Sequence, residues 1–445
     1  MKKVLALALS VIMVLGIFTG CGKESTDSQN KESVEIFINV PLLTVDCVSN
    51  PEFESSSDFI KAMWDSFAAQ YDKYDVRLKG DMVYNFQQTE YAANITDVYG
   101  TDKCPDISFG GYFAMSGFMY DGYMIPLDDI ITPEIYNDFA EATWEQSRGS
   151  NGKTYLLPYY ALMNILCFSK DLFRECGLDE YILDDEVIQG WSLEEWDHIL
   201  STLAENLPDN KYPMMMYAKN NQGDTHTMIQ LRCQGSDFFD ENGLFNLNTE
   251  EGIAGLQWIK DNYDKGYYPY ECEDLEILDN SDMFMSGQLA IYVWNSSLSV
   301  NCVDSELGYV NFPGYDASGV NSNWVTGFMA FDNGDEKKIE VVKDFLKYVY
   351  ETPELMDYST SGMPCSKSVN ERWADKLFLG EQLAANDVYS VNFTANNPNW
   401  SGVRNAFWPH IRALLTGEET AAEAAAGLDK DCNAAINSVT RTLHD

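Results

Sequence analysis

The feature that most constrains this chain is the alternation of short apolar runs with helix-period runs in its first third. "VEIFINV" (34–40) interrupts its apolar residues only at Glu35 and Asn39. A run of that length and composition reads as a buried strand. Ser57 and Asp58 then open a helix whose apolar positions are Ile60, Met63, Trp64, Phe67 and Tyr71. "DVRLKGDMVY" (75–84) returns to a strand pattern, a helix is predicted over 89–99, and "PDISFGG" (105–111) reads as a strand entering a Gly-Gly turn. Strand, helix, strand, helix, strand predicts an α/β fold with a parallel sheet and crossover helices. Ligands bind beyond the carboxyl ends of strands in such sheets. The loops after Val40, Tyr84 and Phe109 are therefore expected to face a site.

The middle of the chain repeats this grammar. In "WSLEEWDHILSTLAENLP" (191–208), Ser192 and Glu195 form a capping box, and Trp196, Ile199, Leu200 and Leu203 make the buried face. Thr249 starts a helix with Ile253, Leu256, Ile259 and Tyr263 on one side, and "QLAIYVWNSS" (288–297) is a strand. "KKIEVVKDFLKYVYETPE" (337–354) is amphipathic through Ile339, Val342, Phe345, Leu346 and Val349. A length of 445 residues exceeds one ordinary core and suits two lobes.

The front end reads as an address. Lys2 and Lys3 precede an apolar stretch over 4–18, which is short of the roughly 20 residues that a membrane span needs. Residues 1–20 are expected to be an export signal. "GKESTDSQNKES" (22–33) has the composition of a flexible tether.

Charge and cysteine content exclude several classes. A formal net charge of -41 repels phosphate backbones, so no nucleic-acid partner is expected. Ten cysteines include no CxxC pair, and the four histidines (His198, His226, His410, His444) are scattered, so neither metal nor cofactor is expected. Most of the cysteines are expected to be small buried hydrophobes, with room for one disulfide. No GxSxG, HExxH, P-loop or EF-hand pattern occurs. Abundant carboxylates alone are no evidence for glycoside hydrolysis.

Six collinear stretches resemble the sugar-type extracellular solute-binding proteins of bacterial ABC transporters, the group that includes maltose-binding protein. They are "CPDISFGGYFAMSGFMYDGYMIPLDDII" (104–131), "GKTYLLPYYALMNILCFSKDLFRECGLD" (152–179), "GWSLEEWDHIL" (190–200), "MFMSGQLAIYVWNSS" (283–297), "LGYVNFPG" through "FLKYVYETPELMDYSTSGMPCSKSV" (307–369), and "FWPHIRALLTGEETAAEAAAGL" (407–428). The second is the most specific, with Gly-Lys, a Tyr-x-x-Pro strand, a Ser-Lys-Asp-Leu-Phe turn and Gly-Leu. The resemblance implies a two-lobed periplasmic-binding-protein-like fold of type II, with a ligand cleft between lobes joined by hinge crossovers. Crossings are expected near Leu162, Phe312 and Ser361. Residues 34–162 with 313–361 would form the N-terminal lobe, and 163–312 with 362–445 the C-terminal lobe. The implied function is capture of a carbohydrate, an oligosaccharide in view of the 13 % aromatic content, for delivery to the transmembrane permease subunits of an importer. The implied protein is not an enzyme and acts as a monomer. A glycoside hydrolase, a surface adhesin or sensor partner, and the same fold with a non-sugar ligand are the competing readings. "IFTGC" (17–21) resembles a lipoprotein-processing site, with Phe18 where Leu is usual. It implies that Cys21 carries a lipid that anchors the exported protein to the outer face of the cell membrane.

A sugar presents C–H faces and hydroxyls, which call for aromatic plates and short polar groups. Candidates at strand ends and loops are Trp294 and Asn295; Tyr112 with Phe113; Tyr159 with Tyr160; Trp324; and Trp400, Arg404 and Trp408. Asn39 and Gln87 are polar candidates. Trp294 stands where the family places a stacking aromatic. Arg404 is one of only eight arginines, so a strongly anionic ligand would find few clamps.

Overall fold

The computed structural model describes residues 31–41, 52–80, 83–84, 97–111, 116–182, 188, 190–220, 224–295, 305–314, 319–358, 362–392 and 397–439. The expected signal, tether and Cys21 up to residue 30 lie outside them, as do Gln87, Tyr112, Phe113 and the crossing expected near Ser361.

The described strands are β1 (Ser33–Ile36), β2 (Ile38–Pro41), β3 (Asp75–Leu78), β4 (Val83–Tyr84), β5 (Ile107–Gly111), β6 (Leu157–Ser169), β7 (Tyr212–Met214), β8 (Leu289–Asn295), β9 (Leu307–Val310), β10 (Asn321–Ala330), β11 (Met363–Pro364) and β12 (Ser390–Val391). β1 and β3 form a separate parallel pair, and the others join one sheet in the order β4-β2-β5-β10-β6-β8-β7, with β9 and β11 on β6 and β12 on β10.

The single strand expected at 34–40 breaks at Phe37. Its amide donates to the buried carboxylate of Asp106 at 2.8 Å, and its carbonyl accepts the amides of Asp106 and Ile107. Asp106 also receives Lys338 Nζ at 3.0 Å, so one carboxylate holds the break, β5 and the helix that carries Lys338.

The sheet is mixed rather than all parallel. β2 runs parallel to β4 and β5, and β7 to β8, whereas β10 is antiparallel to both β5 and β6. β6 spans two pairings in the sheet. Residues Leu157 to Asn164 of β6 pair with β10, and residues Asn164 to Phe168 pair with β8. Gly327 of β10 sits where this register shifts, and a Cβ there would lie 1.9 Å from the Leu157 carbonyl oxygen. Only glycine permits that approach.

Ten helices matter to the argument: α1 (Ser56–Gln70), α2 (Ser116–Tyr120), α3 (Leu193–Asn206), α4 (Asp224–Cys233), α5 (Glu250–Asp264), α6 (Ile277–Met285), α7 (Glu336–Glu351), α8 (Gly380–Asn386), α9 (Trp400–Thr416) and α10 (Ala421–Asn437). The predicted face of α1 is buried through Ile60, Met63, Trp64 and Phe67, against α7 and β2. The capping box of α3 forms as read: Ser192 Oγ accepts the Glu195 amide at 3.2 Å, and Glu195 accepts the Ser192 amide at 2.7 Å. Thr249 caps α5, and Asp335 caps α7. In the second half α9, α10 and α5 pack on one another.

All seven described cysteines are buried thiols, so no disulfide forms among them. No helix of the described residues is long and apolar enough to cross a membrane, and no cluster of metal-ligating side chains occurs among them.

Candidate functional site

Among the polar candidates, Asn39 lies near the amino end of β2 rather than at the carboxyl end of a strand, because the strand read over 34–40 breaks at Phe37. Asn39 lies in β2 opposite Ser108 of β5 and is 1 % exposed. Its Nδ2 donates to Ser108 Oγ at 3.1 Å, while its Oδ1 has no hydrogen-bond partner among the described residues. A buried acceptor left open costs about 1–3 kcal/mol, so its retention asks for a reason. Ser56 and Ser57, in the first turn of α1, are buried with equally open hydroxyls. β2 packs on α1.

From the other half, α9 reaches α2 of the first. Trp400, Arg404 and Trp408 recur every four residues on α9 and so share one face. Both indoles are buried, and neither Nε1 has a partner among the described residues. Trp400 sits beside Phe239, with ring centroids 6.4 Å apart, and Trp408 lies nearly parallel to Tyr217 at 6.2 Å. The Tyr217 hydroxyl meets His226 Nδ1 at 2.9 Å. Burial, and then the charge of Arg404, hold the His226 pKa down at about 4, so the ring is neutral near pH 7. Sequence reasoning missed Tyr217 and His226. The signal was present, because Tyr217 lies three residues past the carboxyl end of β7, a parallel strand.

Other candidates are placed differently. Tyr159 is a core residue: its ring stacks on Phe59 at 5.8 Å, and its hydroxyl donates to the Tyr358 carbonyl at 2.6 Å. Its neighbour Tyr160 is also buried, and desolvation raises its pKa to about 12. Trp294 is 1 % exposed beneath the edges of Tyr309 and Phe378, at 5.2 and 5.9 Å, so no open plate stands there. Trp324 lies inside β10 rather than before it, opposite Leu162, and is half-buried. Asn295 ends β8, paired with Asn164. A surface groove of about 520 Å³ between Thr132, Asp138, Tyr350 and Ser368 contains none of the predicted site residues.

The model of the family described as bacterial extracellular solute-binding protein matches residues 55–354. This chain belongs to that family. The solute-binding chain is 23 % identical over 236 residues to the arabinooligosaccharide-binding protein of Halalkalibacterium halodurans, covering 51 % of this chain and 49 % of that protein. It is 25 % identical over 265 residues to the arabinooligosaccharide-binding protein of Bacillus subtilis, covering 59 % and 54 %. The chain thus spans about half the length of the curated relatives that it matches. Among solved structures, the cyclic alpha-maltosyl-1,6-maltose binding protein of Arthrobacter globiformis superposes with a TM-score of 0.68 at 21 % identity, over 91 % of this chain and 100 % of that one. The sugar-binding protein MalE of Xanthomonas citri superposes with a TM-score of 0.69 at 14 % identity, over 91 % and 98 %. These likenesses establish the two-lobed α/β architecture.

Proposed function

We propose that this protein captures a neutral oligosaccharide between its lobes and delivers it to the membrane subunits of an ABC importer. The observation that carries the reading is a set of buried, uncharged polar atoms that have no hydrogen-bond partner among the described residues. Asn39 Oδ1 is open in the first half, and the indole Nε1 atoms of Trp400 and Trp408 are open on α9. Sugar hydroxyls would satisfy these atoms. The names of the Halalkalibacterium and Bacillus relatives support an oligosaccharide as the class.

The lobes are residues 34–162 with 313–361 and 163–312 with 362–445, and the ligand favours their closed arrangement. The protein acts as a monomer without cofactor, metal or catalytic step. It is exported and held at the outer face of the cell membrane by a lipid on Cys21. Mass spectrometry of the native protein tests the anchor; an unmodified Cys21 still joined to residues 1–20 refutes it.

The functional test is a thermal-shift panel of arabino- and malto-oligosaccharides, peptides, polyamines and amino acids. A ligand at 100 times its Kd adds about 2.7 kcal/mol of stability. Shifts with oligosaccharides, and no new product on chromatography, support the reading. Shifts only with peptides or polyamines refute it, and sugar products would favour a glycoside hydrolase.

A further inference from the structure

The passage from β9 to β10 is built from side chains that an apolar core would not use. Asn311, Asn321 and Asn386 are each at most 2 % exposed. Asn311 Nδ2 donates to Asn386 Oδ1 at 2.8 Å, and Asn386 Nδ2 donates back to Asn311 Oδ1 at 2.7 Å. Asn321 Nδ2 reaches Asn311 Oδ1 at 3.2 Å and the Asn386 carbonyl at 3.1 Å. Ser390 Oγ hydrogen-bonds Asn321 Oδ1, and Asn323 Nδ2 donates to Asp387. Asn164 of β6 donates to Ser322 Oγ at 3.0 Å. Asp387 has neutral hydrogen-bond partners and no ion pair among the described residues, and burial raises its pKa.

The location gives this cluster its meaning. β9 pairs with Leu166–Ser169 of β6, and β10 pairs with the first part of β6. Asn311 and Asn321 flank the passage between those two pairings. Asn386 and Ser390 arrive from a third segment, and β12 runs parallel to β10 with Ser390 opposite Asn321. Three chain segments therefore meet beside β6 and β10, where the lobe reading of the sequence puts the join. Buried amides cost stability unless every bond is made; Asn323 Oδ1 lacks a partner among the described residues, but the side-chain amides of Asn311, Asn321 and Asn386 are all bonded, and such a satisfied trio fixes one arrangement of the segments that supply it.

We propose that the Asn311–Asn321–Asn386 cluster is the pivot of lobe closure, with Asn386 as a positioning residue that sets the balance of open and closed forms. The proposal rests on the reading that ligand binds between the lobes. Asn386 touches no ligand; it acts on the fraction of binding-competent protein, which scales every apparent affinity alike.

The test uses Asn386→Leu, with the isosteric Asn386→Asp as a second variant that turns a donor into an acceptor facing Asn311 Oδ1. Small-angle scattering is recorded without sugar, and calorimetry is run with maltotriose and with arabinotriose. The expected result is an altered sugar-free radius of gyration in a folded variant, with both dissociation constants changed by one common factor of at least 5. Unchanged sugar-free scattering in both folded variants overturns the proposal, and so does a changed ratio of the two constants. The scattering arm decides even where neither sugar binds, which separates failure of the pivot from failure of the oligosaccharide reading.

Discussion

Replacing Asn39 by Leu separates the two uses to which this side chain can be put. Asn39 is 1 % exposed, makes one hydrogen bond to Ser108 and leaves Oδ1 open. Leucine is close to it in shape. The substitution gives up one side-chain bond, about 1 kcal/mol, and relieves an open buried acceptor, about 1–3 kcal/mol. The expected change in folding stability is thus between neutral and about 2 kcal/mol stabilising. If Oδ1 accepts a ligand hydroxyl, binding loses about 0.5–1.5 kcal/mol, a 2- to 12-fold weakening. Urea unfolding reports the first quantity, and calorimetry with the oligosaccharide found in the panel reports the second. A variant destabilised by more than about 1.5 kcal/mol with unchanged affinity would refute the reasoning and make Asn39 a structural residue.

Trp294→Ala should cost about 3–5 kcal/mol of folding stability, because the ring is buried under Tyr309 and Phe378; a variant as stable as the parent in urea contradicts that packing. His226 has a pKa lowered from 6.5 to about 4, so the unfolded chain takes up a proton first. Its contribution is full above pH 6.5 and is lost as pH falls towards 4, and His226→Phe should flatten that part of the stability–pH curve. The seven described thiols are buried, and burial raises those of Cys167, Cys233, Cys365 and Cys432. Iodoacetamide on the native protein should leave all seven unlabelled in peptide maps, and labelling of Cys365 or Cys432 would contradict their placement.

Local signals made much of the fold legible. The caps at Ser192 and Thr249 and the apolar face of α1 depend on neighbours within a few residues, and these elements stand close to where the pattern puts them. Non-local choices were not legible. The break at Phe37 depends on Asp106, a residue 69 positions away, and the antiparallel course of β10 depends on pairing with β6. At the candidate site, the sequence offered Asn39 as the end of one long strand, but the break at Phe37 puts it near the start of β2, and Trp400, Arg404 and Trp408 fall on one face of α9. Strand-end reasoning overvalued Tyr159 and Trp294, because strand position does not reveal that Phe59 or Phe378 covers a ring.

The most direct test of the central claim is calorimetric titration of the mature domain, without residues 1–20, with purified arabino- and malto-oligosaccharides, followed by recovery of the sugar. The expected result is saturable binding at one site per chain, with the oligosaccharide recovered intact. No heat with any oligosaccharide, together with saturable binding of a peptide or a polyamine, would contradict the account.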